Sequence, residues 1–272
     1  MTSNHALLSG IRDSRLIPIA QKVLESQRLN IDDGLLLYQT EDLPSLGSLA
    51  NHVRQTRHGL KSYYVHSRRL SYTNICYTHC QFCAFQAKPE DPRAYVLTVE
   101  DIITDLSSDI NKGVRELHMV AGHYPKLKIE YFEDLFIKIK KRFPDIHLKV
   151  FTMVEMDYYA RVSGISIEEF LDRCIAAGLE SCPGGGAEIF DEEIRQKICI
   201  GKKDANIWLN NARICHQKGL KTNCTMLYGH IEKPTHKIDH LNRLRTLQDE
   251  TNGFLAYIPL AYQIEDNELG RT

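Results

Sequence analysis

Long hydrophobic runs are missing from this 272-residue sequence. No apolar stretch approaches the roughly 18–20 residues that a membrane-spanning helix needs. Residues 1–10 also lack the basic patch and apolar segment that make a secretion signal. We therefore expect no membrane partner and a cytoplasmic location, where cysteines stay as thiols or bind metals and do not form disulfides.

An excess of charge of one sign is missing as well. The chain carries 34 basic and 35 acidic residues, which gives a net charge of −1. Proteins that bind nucleic acid or anionic membranes through their general surface are usually strongly basic. The charge balance therefore gives no support to nucleic acid as a partner. No linker rich in Pro, Gly or Ser interrupts the chain either.

Two parts of the chain differ in the spacing of their apolar residues. In residues 1–68 this spacing is three or four, which predicts a helical N-terminal preface. From residue 69 to residue 272, short apolar runs alternate with helical patterns. The predicted strands are 70–75, 116–121, 147–152, 179–182, 221–227 and 254–261. The predicted helices are 98–112, 130–142, 166–177, 191–198, 203–218 and 235–249.

Strands that alternate with helices predict parallel pairing with right-handed crossovers. The predicted strands are rich in Val, Ile, Leu and Met, which suits a sheet covered on both faces. We therefore predict an α/β domain with a curved, barrel-like sheet. Functional residues of such a domain are expected at the carboxyl ends of the strands.

Three of the eight cysteines form a cluster directly after the first predicted strand. Cys76, Cys80 and Cys83 have the spacing C-x-x-x-C-x-x-C. A structural zinc site normally has four protein ligands, whereas three cysteines suit a 4Fe–4S cluster with one iron free of protein ligands. That iron could chelate S-adenosylmethionine, which an electron from the cluster would split into methionine and a 5′-deoxyadenosyl radical. A structural or sensory cluster, or a zinc ion, is the alternative. The five isolated cysteines are expected to be buried apolar residues.

The cysteine spacing, with Phe82 before the last cysteine, resembles the radical S-adenosylmethionine superfamily. The resemblance implies a partial (β/α)6 TIM-like barrel whose three cysteines bind a 4Fe–4S cluster. It also implies that Phe82 lies beside the adenine of S-adenosylmethionine. An electron donor such as flavodoxin or ferredoxin is expected as a partner.

Longer stretches resemble, within that superfamily, the aminodeoxyfutalosine synthase family of the futalosine route to menaquinone. The most specific stretches are 183–190 and 226–232, and residues 249–261 complete the match. Stretch 183–190 is shared with a sister family, the cyclic dehypoxanthine futalosine synthases, which abstract hydrogen and are the alternative. The Tyr-Gly-His-Ile-Glu sequence at 228–232 and the last strand favour the first family.

This resemblance implies addition of the 5′-deoxyadenosyl radical to the vinyl carbon of 3-[(1-carboxyvinyl)oxy]benzoate. The products would be 6-amino-6-deoxyfutalosine, methionine, and carbon dioxide or bicarbonate, with S-adenosylmethionine consumed as a co-substrate. Family members continue beyond the position of Thr272, so the barrel is expected to be truncated after its sixth strand.

Further candidate residues follow the predicted strands. Gly184, Gly185 and Gly186 could let the backbone approach the methionine or ribose of the cofactor, or could simply form a tight turn. Glu188 could bind ribose hydroxyl groups or cap the next helix. Gly122, which ends the second strand, is predicted to bind the cofactor as well.

Two residues are predicted to act in catalysis. Glu155 lies just past a strand's carboxyl end, from which it could reach the amino group of the ligand. His230 follows the fifth strand and could contact a substrate carboxylate. Many superfamily members hold that amino group with a Gly-Gly-Glu sequence after the second strand. This chain has Val-Ala-Gly-His at 120–123, so the contact must come from elsewhere or from backbone.

Overall fold

The computed structural model describes residues 7–110, 112–202 and 204–271. Outside these ranges lie residues 1–6 of the predicted preface, Asn111 and Lys203 of two predicted helices, and Thr272 at the predicted end of the barrel. Within the described ranges, no helix is both long enough and apolar enough to cross a membrane.

The helices and strands follow one another along the chain. The helices are α1 (Ile17–Leu24), α2 (Ile31–Gln39), α3 (Leu43–His58), α4 (Val99–Ile110), α5 (Ile129–Arg142), α6 (Met153–Ser163), α7 (Ile167–Ala177), α8 (Glu192–Ile198), α9 (Ala205–Gln217) and α10 (Pro234–Thr251). The strands are β1 (Ser67–Leu70), β2 (His79–Cys80), β3 (Glu116–Met119), β4 (His147–Val150), β5 (Ser181–Cys182), β6 (Cys199–Ile200), β7 (Lys221–Tyr228) and β8 (Phe254–Ala261).

Six of the strands form one sheet in the order β1-β3-β4-β5-β7-β8, and every neighbouring pair is parallel. The predicted α/β class and its six parallel strands are therefore confirmed. Strands β2 and β6 form a separate antiparallel pair, in which Cys80 lies directly opposite Cys199. The sequence pattern did not predict this pair, because two residues are too few to show a period.

The first strand and one helix differ clearly from the prediction. The first strand is Ser67–Leu70 and not 70–75, where residues 71–75 continue as an extended segment with only isolated bridges at Thr73 and Ile75. Helix α6 was not predicted, because its first residues extend the apolar run of β4. Thr152 caps the helix: its hydroxyl oxygen accepts a hydrogen bond from the Glu155 N–H.

The chain divides into two compact units. One comprises the described residues up to Tyr64 together with Lys233–Asn242, and the other comprises Val65–Glu232 together with the described residues from Arg243. The division into a preface of residues 1–68 and a barrel of residues 69–272 stays a prediction.

The core of the larger unit is built on aromatic side chains. Phe132 of α5 lies against Phe151 and Tyr159, with 4.7 Å between ring centroids in both pairs. Phe170 of α7 and Tyr72 complete this cluster, and all five side chains are fully buried. Each buried ring of this kind contributes about 1.5–3 kcal/mol to folding. The cluster thereby fixes the segments that follow β1 and β4.

Candidate functional site

A cavity of about 500 Å³ lies at the carboxyl ends of β1, β3 and β4. Its walls are the cysteine loop, the segments that follow those three strands, and the chain beyond β5 and β6. The predicted site residues in its lining are Cys76, Cys80, Cys83, Phe82, Gly122, Glu155 and Gly186. The fold therefore gathers at one place residues that are spread over more than a hundred positions of sequence.

The cysteine loop is fastened by backbone hydrogen bonds. The Cys76 N–H donates to the Ala87 carbonyl oxygen at 3.1 Å, and the Cys83 N–H donates to the Cys80 carbonyl oxygen at 3.0 Å. Cys80 is buried, while Cys76 and Cys83 are partly exposed to the cavity. All three cysteines therefore belong to a loop with a defined path and line the same cavity.

Gly122 allows this loop to approach the end of β3. Its N–H donates to the Thr73 carbonyl oxygen at 3.0 Å, and a Cβ atom at this position would overlap the Ile75 carbonyl oxygen. Only glycine leaves room for such a close backbone contact. Gly122 lines the cavity, so its role in cofactor binding stays a prediction beside this demonstrated packing role.

His123 supports the same loop from the next position. Its Nδ1 shares a hydrogen bond with the Thr78 hydroxyl, and its carbonyl oxygen accepts from the Tyr77 N–H. The ring stacks on Tyr158 with 4.7 Å between centroids. Burial, with the nearby charges of Lys202 and Arg161, lowers the pKa of His123 to about 3. The imidazole is therefore neutral at physiological pH.

The three thiols suit a 4Fe–4S cluster by their chemistry. In such a cluster each thiolate binds a different iron, so the sulfur atoms need not converge on one point. Among the described residues, no three His, Cys, Asp or Glu side chains are arranged around a single metal-ion position. A three-cysteine loop at the edge of a cavity leaves space beside the fourth iron. The donor set therefore fits the cluster that the sequence predicts.

Glu188 and Lys202 form a buried ion pair beside the cysteine loop. Lys202 Nζ lies 2.6 Å from Glu188 Oε1, and the two side chains are only 9% and 8% exposed. Nζ also lies 5.3 Å from the centroid of the Phe82 ring. Glu188 was predicted to bind ribose or to cap a helix; the helix α8 is capped by Asp191 instead. Ribose binding by Glu188 stays a prediction.

Glu155 is 1% exposed, and protein groups occupy both of its carboxylate oxygens. Oε1 accepts hydrogen bonds from the Tyr72 hydroxyl and the Ala121 N–H, both at 2.9 Å, and Oε2 accepts from the Thr152 N–H at 2.7 Å. Burial raises the pKa of Glu155, and these hydrogen bonds oppose that shift. Glu155 thus ties α6 to the segments after β1 and β3, and a catalytic role stays a prediction.

The three predicted glycines of the 184–186 run have different surroundings. Gly184 packs against the backbone of β7, where a Cβ atom would lie 2.6 Å from the Cys224 Cα. The Gly185 carbonyl oxygen accepts a hydrogen bond from Trp208 Nε1 at 3.2 Å. Gly186 has a φ of +85° and is the member of the run that lines the cavity. For Gly186 alone, therefore, the geometry places the backbone next to a ligand space.

His230 is not part of the cavity lining. Its side chain is fully buried, with Nε2 3.1 Å from the Leu227 carbonyl oxygen and Nδ1 3.3 Å from Glu232 Oε2. Glu232 also accepts hydrogen bonds from the Gly229 and His230 N–H groups, at 2.7 and 2.9 Å. These contacts close the turn after β7. A contact between His230 and a substrate carboxylate stays a prediction.

Several residues of the site were missed from the sequence. Tyr72 holds Glu155, His123 holds the cysteine loop, and Lys202 faces the thiols from the segment after β6. Cys199, expected to be a buried apolar residue, is indeed buried but also lies opposite Cys80. The sequence Thr-Met-Val-Glu at 152–155 has the form of a capping box and could have revealed α6. The position of Lys202 depends on tertiary pairing alone.

Comparison with known proteins shows the family of the chain. A family model described as the radical SAM superfamily matches residues 70–244. Over 264 residues the chain is 47% identical to an aminodeoxyfutalosine synthase of Thermus thermophilus, a match that covers 97% of this chain and 71% of the relative. It is 43% identical over 245 residues to an aminodeoxyfutalosine synthase of Streptomyces coelicolor, covering 90% of this chain and 63% of the relative.

A sister enzyme and a solved structure extend the comparison. The cyclic dehypoxanthine futalosine synthase of Streptomyces coelicolor is 36% identical over 262 residues, with 94% of this chain and 66% of the relative covered. The chain thus spans between 63% and 71% of the length of these three relatives. The crystal structure of methylornithine synthase superposes with a TM-score of 0.72 at 18% identity, covering 92% of this chain and 69% of that chain. At this identity the likeness concerns the fold, and it confirms the predicted partial barrel.

Proposed function

We propose that this chain, which belongs to the radical SAM superfamily and within it to the aminodeoxyfutalosine synthase family, is a radical transferase of menaquinone biosynthesis. The substrate is 3-[(1-carboxyvinyl)oxy]benzoate, and S-adenosylmethionine is the co-substrate. The products are 6-amino-6-deoxyfutalosine, methionine, and carbon dioxide or bicarbonate. The reaction takes place in the cytoplasm, with flavodoxin or ferredoxin as the source of electrons.

One observation carries this proposal: three thiols of a C-x-x-x-C-x-x-C loop face one cavity at the carboxyl ends of parallel strands. Cys76, Cys80 and Cys83 would hold three irons of a 4Fe–4S cluster. When bound, that cluster supplies the electron that splits S-adenosylmethionine into methionine and the 5′-deoxyadenosyl radical.

The other residues of the cavity serve the same reaction. Phe82 lies at the cavity wall, where its ring can pack against the adenine of the co-substrate. Gly122 and Gly186 line two other walls, where backbone can lie beside the ribose and methionine parts of the co-substrate. The buried walls also limit the access of water and of stray hydrogen donors to a radical.

The sister cyclase is the second candidate, because it shares the Gly-rich run and is 36% identical to this chain. The higher identity to two synthases, 47% and 43%, favours radical addition over hydrogen abstraction. The two reactions differ in the fate of the adenosyl group. Addition retains it in the product, whereas hydrogen abstraction releases 5′-deoxyadenosine.

Product analysis by mass spectrometry tests the proposal. The 272-residue chain is reconstituted anaerobically with iron and sulfide, reduced, and incubated with S-adenosylmethionine and the enolpyruvyl benzoate. We expect 6-amino-6-deoxyfutalosine in amounts that match the methionine formed. Free 5′-deoxyadenosine that appears only when a futalosine substrate is present would favour the cyclase. Absence of any cleavage of S-adenosylmethionine by a protein with a full cluster would contradict both candidates.

A further inference from the structure

The Lys202 ammonium lies beside the cysteine loop and lines the same cavity. It reaches this position because β6 pairs with β2: the Lys202 N–H donates to the Cys199 carbonyl oxygen at 3.1 Å, and Cys199 lies opposite Cys80. Its Nζ is 5.3 Å from the Phe82 ring centroid and 2.6 Å from Glu188 Oε1. Lys202 thus lies close both to the cysteine loop, at Cys80 and Phe82, and to the buried Glu188 carboxylate.

Burial makes the charges of this pair effective. Both side chains are less than 10% exposed, so water screens them little. The Glu188 carboxylate lies 2.6 Å from Nζ and stabilises the positive charge of Lys202. Lys202 lines the same cavity as Cys80, so its charge acts on the cysteine loop.

Only one of the two residues of the ion pair lines the cavity. Lys202 lines it together with Cys80 and Phe82, whereas Glu188 lies behind Lys202 and is not part of the lining. Substituting Lys202 with a neutral residue would leave a buried negative charge near the thiols. Substituting Glu188 would leave a positive charge there. The pair therefore offers two substitutions of opposite electrostatic sign at one location.

We propose that Lys202 and Glu188 are positioning residues that set the reduction potential of the cluster, with the Lys202 ammonium favouring the reduced form and Glu188 offsetting part of that effect. Reduction adds one negative charge to the cluster, and net charge and hydrogen bonds to the ligand sulfurs are known to set cluster potentials. A buried cation next to Cys80 stabilises the added electron. The proposal rests on the proposed function, because it needs a cluster on the three cysteines.

An EPR-monitored redox titration of the reconstituted cluster tests this proposal. Three variants are compared with the parent chain: Lys202→Met, Glu188→Gln, and the two combined. At a fixed potential, Lys202→Met should lower the ratio of reduced to oxidised cluster at least tenfold. This corresponds to a reduction potential that is lower by about 59 mV for a one-electron couple. Glu188→Gln should raise that ratio, and the combined variant should lie between the two. Lys138→Met, which removes an exposed lysine of α5, should leave it unchanged.

Shifts of opposite sign in the two single variants distinguish this electrostatic role from a merely structural one. A damaged loop would move both single variants in the same direction, and that result would overturn the proposal, as would unchanged potentials in both. If Lys202→Met does not retain the cluster, the Glu188→Gln variant decides, because it removes a charge and little volume. A parent chain that binds no iron and sulfide would overturn the proposed function itself, whereas a loaded parent chain with unmoved variants overturns only this proposal.

Discussion

The two sides of the cavity hold a buried glutamate in different ways. On the strand-end side, formed by Tyr72, residues 120–123 and residues 152–155, the Glu155 carboxylate is held by a hydroxyl and two backbone N–H groups. On the thiol side, formed by the cysteine loop and residues 188–202, the Glu188 carboxylate is held by an ammonium. Neutral donors therefore hold the Glu155 carboxylate, whereas the positive charge of Lys202 balances the negative charge of Glu188.

This difference indicates that the two sides of the cavity have different tasks. The strand-end side is built on the main sheet and on the first turn of α6, so its hydrogen bonds are part of the fold. The thiol side is built on a separate pair of strands of only two residues each. Substitutions on the thiol side should therefore change what is bound while the sheet stays intact. Substitutions on the strand-end side should change stability.

The largest expected effect is on the thiol side. Cys80→Ala should remove most of the roughly four irons per chain expected of a 4Fe–4S protein, because the cluster loses one of three ligands. Cys199→Ala is the matched control, since Cys199 faces Cys80 across the β2–β6 pair and is not a predicted ligand. It should retain the iron. Iron and sulfide analysis measures both, and circular dichroism should show an unchanged fold. Equal iron loss in the two variants would contradict the assignment of the ligands.

The next effect is on the strand-end side. Gly122→Ala introduces a Cβ that would overlap the Ile75 carbonyl oxygen, and backbone yields poorly, so we expect a loss of about 1–3 kcal/mol or more in the free energy of unfolding. Gly47→Ala is the control: Gly47 lies inside α3 with no atom near the new Cβ, and the change should add up to about 1 kcal/mol. Urea denaturation measures both. A Gly122→Ala variant as stable as the parent would show that the contact is not tight.

The smallest effect is expected for Glu155→Gln. The amide nitrogen would face an N–H group that now donates to a carboxylate oxygen, which costs about 1–3 kcal/mol in the free energy of unfolding. Glu169→Gln is the control, because Glu169 occupies the same third position of the next helix but is exposed. It should change stability by less than about 0.5 kcal/mol. A Glu155→Gln variant that keeps its stability but no longer cleaves S-adenosylmethionine would favour the catalytic role predicted from the sequence.

The two sides also differ in how far they could be predicted from the sequence. The strand-end side follows from apolar runs that end in Gly122 and Thr152, and these runs mark buried parallel strands. Helix α6 was missed although Thr152 and Glu155 carry its capping signature. The apolar residues 153 and 154 hid the start of the helix, because they continue the apolar character of the strand and show no helical period.

On the thiol side, Glu188 was named as a candidate from the sequence, and the cluster loop was predicted from the cysteines and Phe82. Their spacing is local, so it is visible without a structure. The positions of Glu188 and Lys202 depend on the β2–β6 pair and on a turn in which Glu188 has a φ of +47°. Neither feature has a periodic pattern, and a lysine in a short segment between helices is usually a solvated surface charge. Tertiary pairing alone brings it next to Cys80.

The central claim is that three thiolates leave one iron open to S-adenosylmethionine. It is tested most directly by the EPR spectrum of the reduced, anaerobically reconstituted protein before and after S-adenosylmethionine is added. We predict a 4Fe–4S signal whose g values shift on addition, because the amino and carboxylate groups of S-adenosylmethionine coordinate the open iron. A spectrum that S-adenosylmethionine leaves unchanged, or a protein that contains zinc and no inorganic sulfide, would contradict the claim.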